Sequence, residues 1–419
     1  MVEKRMAKLA VLGHGVVGSG VVELFERNRD SIETRAGQKM DVKYILDIRD
    51  FTDLPYSEKF TKNFDDILND EEVVAVAEVM GGLEPAYTYT KALLEHGKSV
   101  VTSNKELVAV KGGELLCIAK EHNVNFFFEA SVGGGIPIIQ PMHQCLAANR
   151  IREVVGILNG TTNFILTRMI REQMGFDEAL KMAQELGYAE RNPAADVEGI
   201  DTCRKICILA SLAFGRQVDP ETVYTEGITK LTLADAAYAE HSDRAVKLIG
   251  RAKQLEDGNL TTMVFPVFLP KSSQLSGIDD VFNGILVRGD ATGDVMFYGK
   301  GAGKFPTASA VAADLIEAVK ASGTSCSLTW EETPKAQIKD WRVVPFSFYL
   351  RIRTTDPQAV LSKLRNQMPE LKILSRSGQP EDEVAVETSP MSERRLEEIW
   401  SGLSGSENQL LGKIRILDD

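Results

Sequence analysis

The sequence predicts an α/β protein in three parts: a parallel sheet with helices on both faces, a mixed α+β unit, and a small terminal unit of order βαββαβ. Three observations lead there. Residues 8–130 alternate short, nearly continuous apolar runs with amphipathic stretches, as strands buried on both faces and their covering helices do. The glycine-rich turn ASVGGGIPII, from Ala130, then opens a region where helical and antiparallel strand patterns mix. From 345 onward the order strand, helix, strand, strand, helix, strand appears once. A chain of 419 residues is also too long for one ordinary core.

In the first part (1–130), KLAVLG (8–13), VKYILDI (42–48), VVAVAEVM (73–80), KSVVTS (98–103) and NFFFEA (125–130) read as strands. Val16 to about Arg29, Glu84–His96 and Glu106–His122 read as helices. In the second part (131–299), REVVGILNG is a strand ending in a turn. TTNFILTRMIREQM, FDEALKMAQELG and GIDTCRKICILASLAFG are helices, and TMVFPVFLP, FNGILVRG and DVMFYG are antiparallel strands. The helix TASAVAADLIEAVKAS (307–322) belongs to a segment, 300–322, that returns to the first part. Residues 323–344, polar and broken at Pro334–Lys335, read as a linker. The last part (345–419) begins with FSFYLRIRT, continues through the helix QAVLSKLRNQM and ends with GKIRILD, a ferredoxin-like pattern.

Hydrophobic residues make up 43% and charged residues 26%, a soluble globular balance. The net charge of −12 argues against nucleic acid and anionic membrane as partners. The apolar run Leu9–Val22 behind Lys4 and Arg5 is interrupted by Gly13, His14, Gly15, Gly18 and Gly20, so it is neither a signal peptide nor a membrane span. The cytoplasm is the expected compartment. Cys117, Cys145, Cys203, Cys207 and Cys326 lack zinc-site spacing and read as reduced, mostly buried thiols.

Gly13-His14-Gly15-Val16-Val17-Gly18 joins the first strand to the first helix. In that context a GxGxxG turn lets a pyrophosphate approach the backbone at a helix N-terminus, which makes the first part a Rossmann-type dinucleotide-binding domain. Without a ligand the same turn is simply a tight strand–helix connection. The second strand ends in Asp47-Ile48-Arg49-Asp50. An acid there suits the ribose of NAD and an arginine the phosphate of NADP, so both cofactors stay open. The interval from Gly18 exceeds the usual spacing of about 20 residues, so the first helix or the loop after it must be extended.

The stretch from Gly187 to Lys205 gathers Glu190, Asp196, Asp201 and Lys205. Asp201 and Lys205 share a helical face four residues apart, and Asp196 stands where it could cap that helix. Acids near one lysine suit a substrate with an ammonium group, although a surface ion pair with a cap would read the same way. The apolar run from Ile206 to Phe214 draws this turn toward the core. Lys105 follows a strand at its C-terminal end, where ligands gather in open α/β sheets.

These motifs resemble homoserine dehydrogenases. The matching blocks are GHGVVG, EVMGGLEPA, VVTSNKELVA, FEASVGGGIPII, GILNGTTNFILTRM, ELGYAERNPAADVEGIDTCRKICILA and GKGAGKFPTASAV, in family order from residue 8 to about 320. The resemblance implies reversible, NAD- or NADP-dependent reduction of L-aspartate 4-semialdehyde to L-homoserine, on the route to threonine, methionine and isoleucine. It places the proton-donating lysine at Lys205 and a second catalytic, cofactor-side lysine at Lys105. Substrate-holding residues fall on Gly187, Glu190, Asp196 and Asp201. Cofactor contacts fall on Gly13, Gly15, Val16, Val17, Gly18, Arg49, Lys105, Gly301 and Gly303. A monovalent cation, usually sodium, falls on Glu129, Val132, Gly134 and Ile136 and has a structural role.

The second part then becomes a catalytic and dimerisation domain, and the terminal part resembles an ACT domain. ACT domains place a glycine at the first strand–helix turn where an effector binds, and here Ala359 stands at that position. L-threonine sensing and simple association are therefore equal expectations, in a homodimer or tetramer. Because the chain opens at the dinucleotide-binding strand, a monofunctional enzyme without a fused kinase is expected. Two alternatives remain: an aspartate semialdehyde dehydrogenase, for which Cys145 and His143 lack a recognisable nucleophile context, and a non-catalytic NAD-binding amino-acid sensor, which would need no positioned proton donor.

Overall fold

The computed structural model describes residues 6–326, 328–333, 336–405 and 407–418. The Pro334–Lys335 break lies outside the described residues.

The first part contains β1 (Ala7–Leu12), α1 (Val16–Arg27), α2 (Arg29–Ala36), β2 (Met40–Leu46), β3 (Phe60–Thr61), α3 (Asp65–Leu68), β4 (Val73–Glu78), α4 (Ala86–Glu95), β5 (Ser99–Thr102), α5 (Lys105–Glu121) and β6 (Phe126–Phe127). The strands form one parallel sheet in the order β3-β2-β1-β4-β5-β6. The order reverses between β1 and β4, and in open α/β sheets ligands bind beyond the strand ends at such a switch point. Helix α2 accounts for the long interval between Gly18 and Asp47. The strand expected over 125–130 shortens to two residues because Glu129–Ser131 turns as a 3-10 helix.

The second part contains β7 (Ile151–Ile157), α6 (Gly160–Glu172), α7 (Phe176–Glu185), α8 (Ala194–Val197), α9 (Ile200–Phe214), β8 (Tyr224–Thr225), α10 (Leu233–His241), β9 (Arg244–Gln254), β10 (Leu260–Pro270), β11 (Phe282–Gly289) and β12 (Gly293–Lys300). Helix α11 (Lys304–Lys320) packs against α1, β4 and β5. A Cβ on Gly20 would lie 3.0 Å from Ala308 Cβ, so a glycine is what lets α1 and α11 cross so closely.

The sequence pattern does not reveal β9. Its Arg244, Lys247 and Arg251 interrupt the apolar alternation, yet each meets a carboxylate in the fold. Arg244 Nη1 lies 2.8 Å from Glu387, Lys247 Nζ 3.1 Å from Asp279, and Arg251 pairs with the buried Glu153.

The terminal part contains β13 (Pro345–Thr354), α12 (Pro357–Gln367), β14 (Lys372–Leu374), β15 (Glu383–Glu387), β16 (Met391–Ser392), α13 (Glu393–Ser401) and β17 (Asn408–Ile416). Its strands run β17-β13-β15-β14, with Val360, Leu364, Leu396 and Ile399 of the helices packed on Phe348, Leu350 and Val384. β17 also pairs in parallel with β10, so the second and terminal parts share one sheet of eleven strands. Residues between α11 and β13 are packed as well: buried Trp330 donates its indole N–H to Gln217 Oε1 at 2.7 Å.

All five cysteines are free, but only Cys203 and Cys207 are buried, and Cys117 and Cys145 are exposed. Thiols are therefore less buried than their apolar neighbours in sequence suggest. Among the described residues, no helix is long and apolar enough to cross a membrane.

Candidate active site

The glycine turn shows why Gly13 and Gly18 are needed. Gly13 adopts φ +97°, a region open to glycine. A Cβ on Gly18 would fall 1.9 Å from the Gly13 carbonyl oxygen, so a hydrogen there lets α1 close onto β1. Gly15 is the N-cap of α1 and caps nothing with a side chain. A Cβ there would meet nothing within 4 Å. The start of α1, at Gly15 and exposed Val16, is thus open at the positive end of a helix, and amides of a first helical turn fit a pyrophosphate.

The end of β2 adjoins this turn. Asp47 accepts a hydrogen bond from the His14 amide at 2.8 Å and from Arg49 Nε and Nη2 at 3.0 and 2.9 Å. Arg49 beside it holds the Asp47 carboxyl well below the usual carboxylate range. Asp47 is therefore engaged in anchoring the loop, while the Arg49 side chain stays 57% exposed. Arg49, Asp50 and Lys62 line a depression of about 210 Å³.

Lys205 and Asp201 lie one turn apart on α9, and both are buried. Lys205 Nζ donates to Asp201 Oδ2 at 2.7 Å and to the Leu158 carbonyl at 2.8 Å. Lys105, the first residue of α5, arrives from the opposite side and pairs with Asp201 Oδ1. Arg204 donates to Glu106 at 2.6 Å and braces α9 against α5 beside both lysines. Asn159 Nδ2 donates to Asp196 Oδ1 at 2.6 Å and to Asp201 Oδ2 at 2.8 Å.

Asp196 does not cap α9. It sits in α8, and the left-handed turn at Gly199 (φ +83°) takes the N-cap position and turns the acid toward Asn159.

Burial alone would raise the Asp201 carboxyl, but Lys205 and Lys105 outweigh it and hold Asp201 well below the usual carboxylate range. Burial lowers the Lys205 ammonium more than Asp201 restores it. At Lys105 burial also pulls down, but Asp201 more than offsets it and the pKa is raised. Asp196 is raised, by burial first and then by the charge of Asp201. The two acids are thereby pushed apart: Asp201 is a fixed anion and Asp196 takes up a proton more readily.

These groups line a cavity of about 460 Å³, together with Gly160, Thr161, Gly187, Tyr188 and the turn Gly301–Gly303. Gly187, Asp196, Asp201, Lys205, Lys105, Gly301 and Gly303 thus come together, as their motifs suggest. Glu190 does not line the cavity: it is exposed, and its carbonyl accepts from Gln184. Asn159 and Thr161 went unassigned in the sequence reading. Their signal was an Asn-Gly-Thr-Thr at a strand–helix junction, where asparagine serves as an N-cap.

Glu129 accepts the amides of Ile138, Ile139 and Gln140 at 2.6, 2.8 and 2.7 Å. Burial pushes its carboxyl up. The carbonyls of Val132, Gly134 and Ile136 accept no hydrogen bond among the described residues. A buried carboxylate near free carbonyl oxygens fits a hard monovalent cation. Gly134 packs backbone to backbone on Gly301, where a Cβ on Gly134 would lie 2.6 Å from the Gly301 oxygen. The loop of Glu129 therefore touches the turn that lines the cavity.

A dinucleotide cradle at a sheet switch point, beside a buried lysine that can give or take a proton, serves hydride transfer to and from a carbonyl. The protein is an NAD(P)-dependent oxidoreductase acting on a CH–OH group. Residues 13–129 match the family model for the homoserine dehydrogenase NAD-binding domain, and residues 137–316 match that for homoserine dehydrogenase. Homoserine dehydrogenase of Bacillus subtilis is 42% identical over 318 residues, covering 75% of this chain and 73% of the relative. The crystal structure of a homoserine dehydrogenase from Thiobacillus denitrificans superposes with a TM-score of 0.89 at 34% identity, over 99% of both chains. A hyperthermophilic archaeal homoserine dehydrogenase in complex with NADPH has a TM-score of 0.64 at 29% identity, over 75% of this chain and 98% of that one.

The chain belongs to the homoserine dehydrogenase family, and it interconverts L-aspartate 4-semialdehyde and L-homoserine. A non-catalytic sensor is not favoured by these matches.

Proposed function

We propose that Lys205, as an ammonium, protonates the alkoxide formed when L-aspartate 4-semialdehyde is reduced, and that Asp201 and Lys105 hold it in place. The observation that carries this reading is the convergence of two lysines on one buried carboxylate in the wall of the cavity. The nicotinamide cofactor, when bound along the glycine turn, supplies or accepts the hydride.

The chain's own residues do the rest. Burial makes the Lys205 proton easier to give up, and in the oxidising direction the same nitrogen, neutral, takes the hydroxyl proton. Asp196 faces the cavity as the acid for the substrate ammonium. The amides of Gly160 and Thr161 at the N-terminus of α6 have no partner among the described residues and suit the substrate carboxylate. Replacing Lys205 by alanine is expected to lower kcat by about 10²–10⁴-fold while cofactor binding, followed by fluorescence titration, persists. Turnover close to wild type would remove Lys205 from this role.

NADPH is the proposed cofactor, because Asp47 is engaged, while Arg49 and Lys62, paired with Asp47 and with exposed Asp50, keep exposed cationic side chains on the depression that a ribose phosphate would enter. A monovalent cation at Glu129, Val132, Gly134 and Ile136 would brace the Gly301 turn, and activity unchanged when sodium is replaced by a bulky organic cation would argue against it. For the terminal unit we propose association rather than threonine sensing: Asp356 already occupies the Ala359 amide at 2.9 Å. Inhibition by millimolar threonine would overturn that.

Both edge strands of the large sheet carry an exposed apolar side chain, Tyr298 on β12 and Ile373 on β14, in keeping with an oligomer that sizing would reveal. A cytoplasmic location agrees with the biosynthetic reaction.

A further inference from the structure

We infer that Asn159 is a positioning residue for this reaction: its side-chain amide holds Asp196 and Asp201 side by side against Lys205, while its side-chain carbonyl caps the helix facing the substrate. The inference rests on the roles proposed above for Asp196 and Lys205.

Asn159 links β7 to α6 and is 5% exposed. The residue before it, Leu158, gives its carbonyl to Lys205. Both hydrogens of Nδ2 are used, one on each acid, at 2.6 and 2.8 Å. Oδ1 accepts from the Thr162 amide at 2.8 Å and the Thr162 hydroxyl at 3.0 Å. The cap takes the third amide of α6 and leaves those of Gly160 and Thr161 to the cavity.

Two carboxylates that share one nitrogen are close enough to repel, and like charges so placed do not both stay ionised unless donors or cations hold them. Lys205 and Lys105 do this for Asp201. Asp196 is faced by Asp201 and Lys205 from α9, by Lys105 from α5 and by Asn159, and it is Asn159 that donates a hydrogen bond to it. Aspartate at 159 would offer no donor, and serine only one. Glutamine would move the amide by one methylene. Asparagine alone of these supplies two coplanar donors and a cap at this reach.

The test compares Asn159→Ser and Asn159→Asp with wild type in the full chain, as kcat and KM for homoserine oxidation and semialdehyde reduction against pH. Both replacements keep a good N-cap, and aspartate is isosteric should serine prevent folding. For Asn159→Ser, kcat/KM for homoserine should fall about 10- to 100-fold, with most of the loss in KM at low pH. The acid limb of the profile should move up, because Asp196 without its donor protonates sooner.

For Asn159→Asp the loss should be larger near neutrality and should shrink as pH falls, when the new carboxyl gains a proton it can donate. An unchanged profile with kcat/KM within about threefold of wild type, which a bare helix cap would give because both replacements preserve it, overturns the inference, as does a parallel loss in both variants at every pH. Lys205→Ala measured alongside separates the two ideas. An active Lys205→Ala sinks the site assignment and the inference with it, whereas an inactive Lys205→Ala beside a normal Asn159→Ser sinks the inference alone.

Discussion

Replacing Asp201 by asparagine keeps the side chain's shape and removes the charge on which two lysines converge. Lys205 Nζ lies 2.7 Å from Oδ2, and Lys105 pairs with Oδ1. At an effective dielectric constant of about 20, a unit pair at that distance attracts by roughly 6 kcal/mol, much of it offset by the desolvation of both ions. Deleting one partner does not recover that desolvation, because Lys205 stays buried and faces Lys105 with only the more weakly coupled Asp196 as a nearby acid. The expected loss of stability at pH 7 is therefore about 3–5 kcal/mol.

Its pH dependence has a definite sign. In the variant the folded pKa of Lys205 falls further below the unfolded value of about 10.4. Between the two values the unfolded chain binds more protons, so the variant's deficit is larger at pH 7 than at alkaline pH and shrinks as pH rises. Asp201 in the wild type has the opposite dependence. Its pKa is depressed, so its contribution is present above the unfolded value of about 4 and is lost as pH falls through the folded one. Reductive turnover should also drop, because the ammonium donor is depleted. Urea unfolding of both proteins at pH 7 and 9.5 measures the difference. A deficit under about 1 kcal/mol at pH 7, or one that grows with pH, would refute the reasoning.

Two further outcomes follow from the cofactor side. Arg49→Ala should raise KM for NADPH by about 10- to 100-fold and leave KM for NADH nearly unchanged; equal effects on both would show that Arg49 only anchors Asp47 and His14. Gly18→Ala puts a methyl group 1.9 Å from the Gly13 oxygen, so α1 must move away from β1. Stability should fall by about 1–3 kcal/mol and cofactor affinity with it, and a normal dissociation constant by fluorescence titration would mean that the turn is more yielding than its packing implies.

The sequence by itself determined what depends on local spacing. Apolar runs alternating with amphipathic stretches specify a parallel sheet between helices, and Gly13, Gly15 and Gly18 specify a tight turn that approaches a phosphate. Four-residue spacing puts Asp201 and Lys205 on one helical face, and strand and helix patterns after 345 specify βαββαβ. These features need no distant partner. Tertiary structure decided which charges are buried and against what. Lys105 reaches Asp201 only because α5 and α9 pack. Asn159 meets Asp196 only because Gly199 turns the chain, and Glu190, in the same block, is left outside. Strand β9 was hidden because its cations read as solvent-facing until Glu387, Asp279 and Glu153, from three separate segments, come to neutralise them. The lysine–acid block had read equally well as a surface ion pair. Burial was what distinguished the two, because a charge removed from water changes its proton affinity and a charge left in water does not.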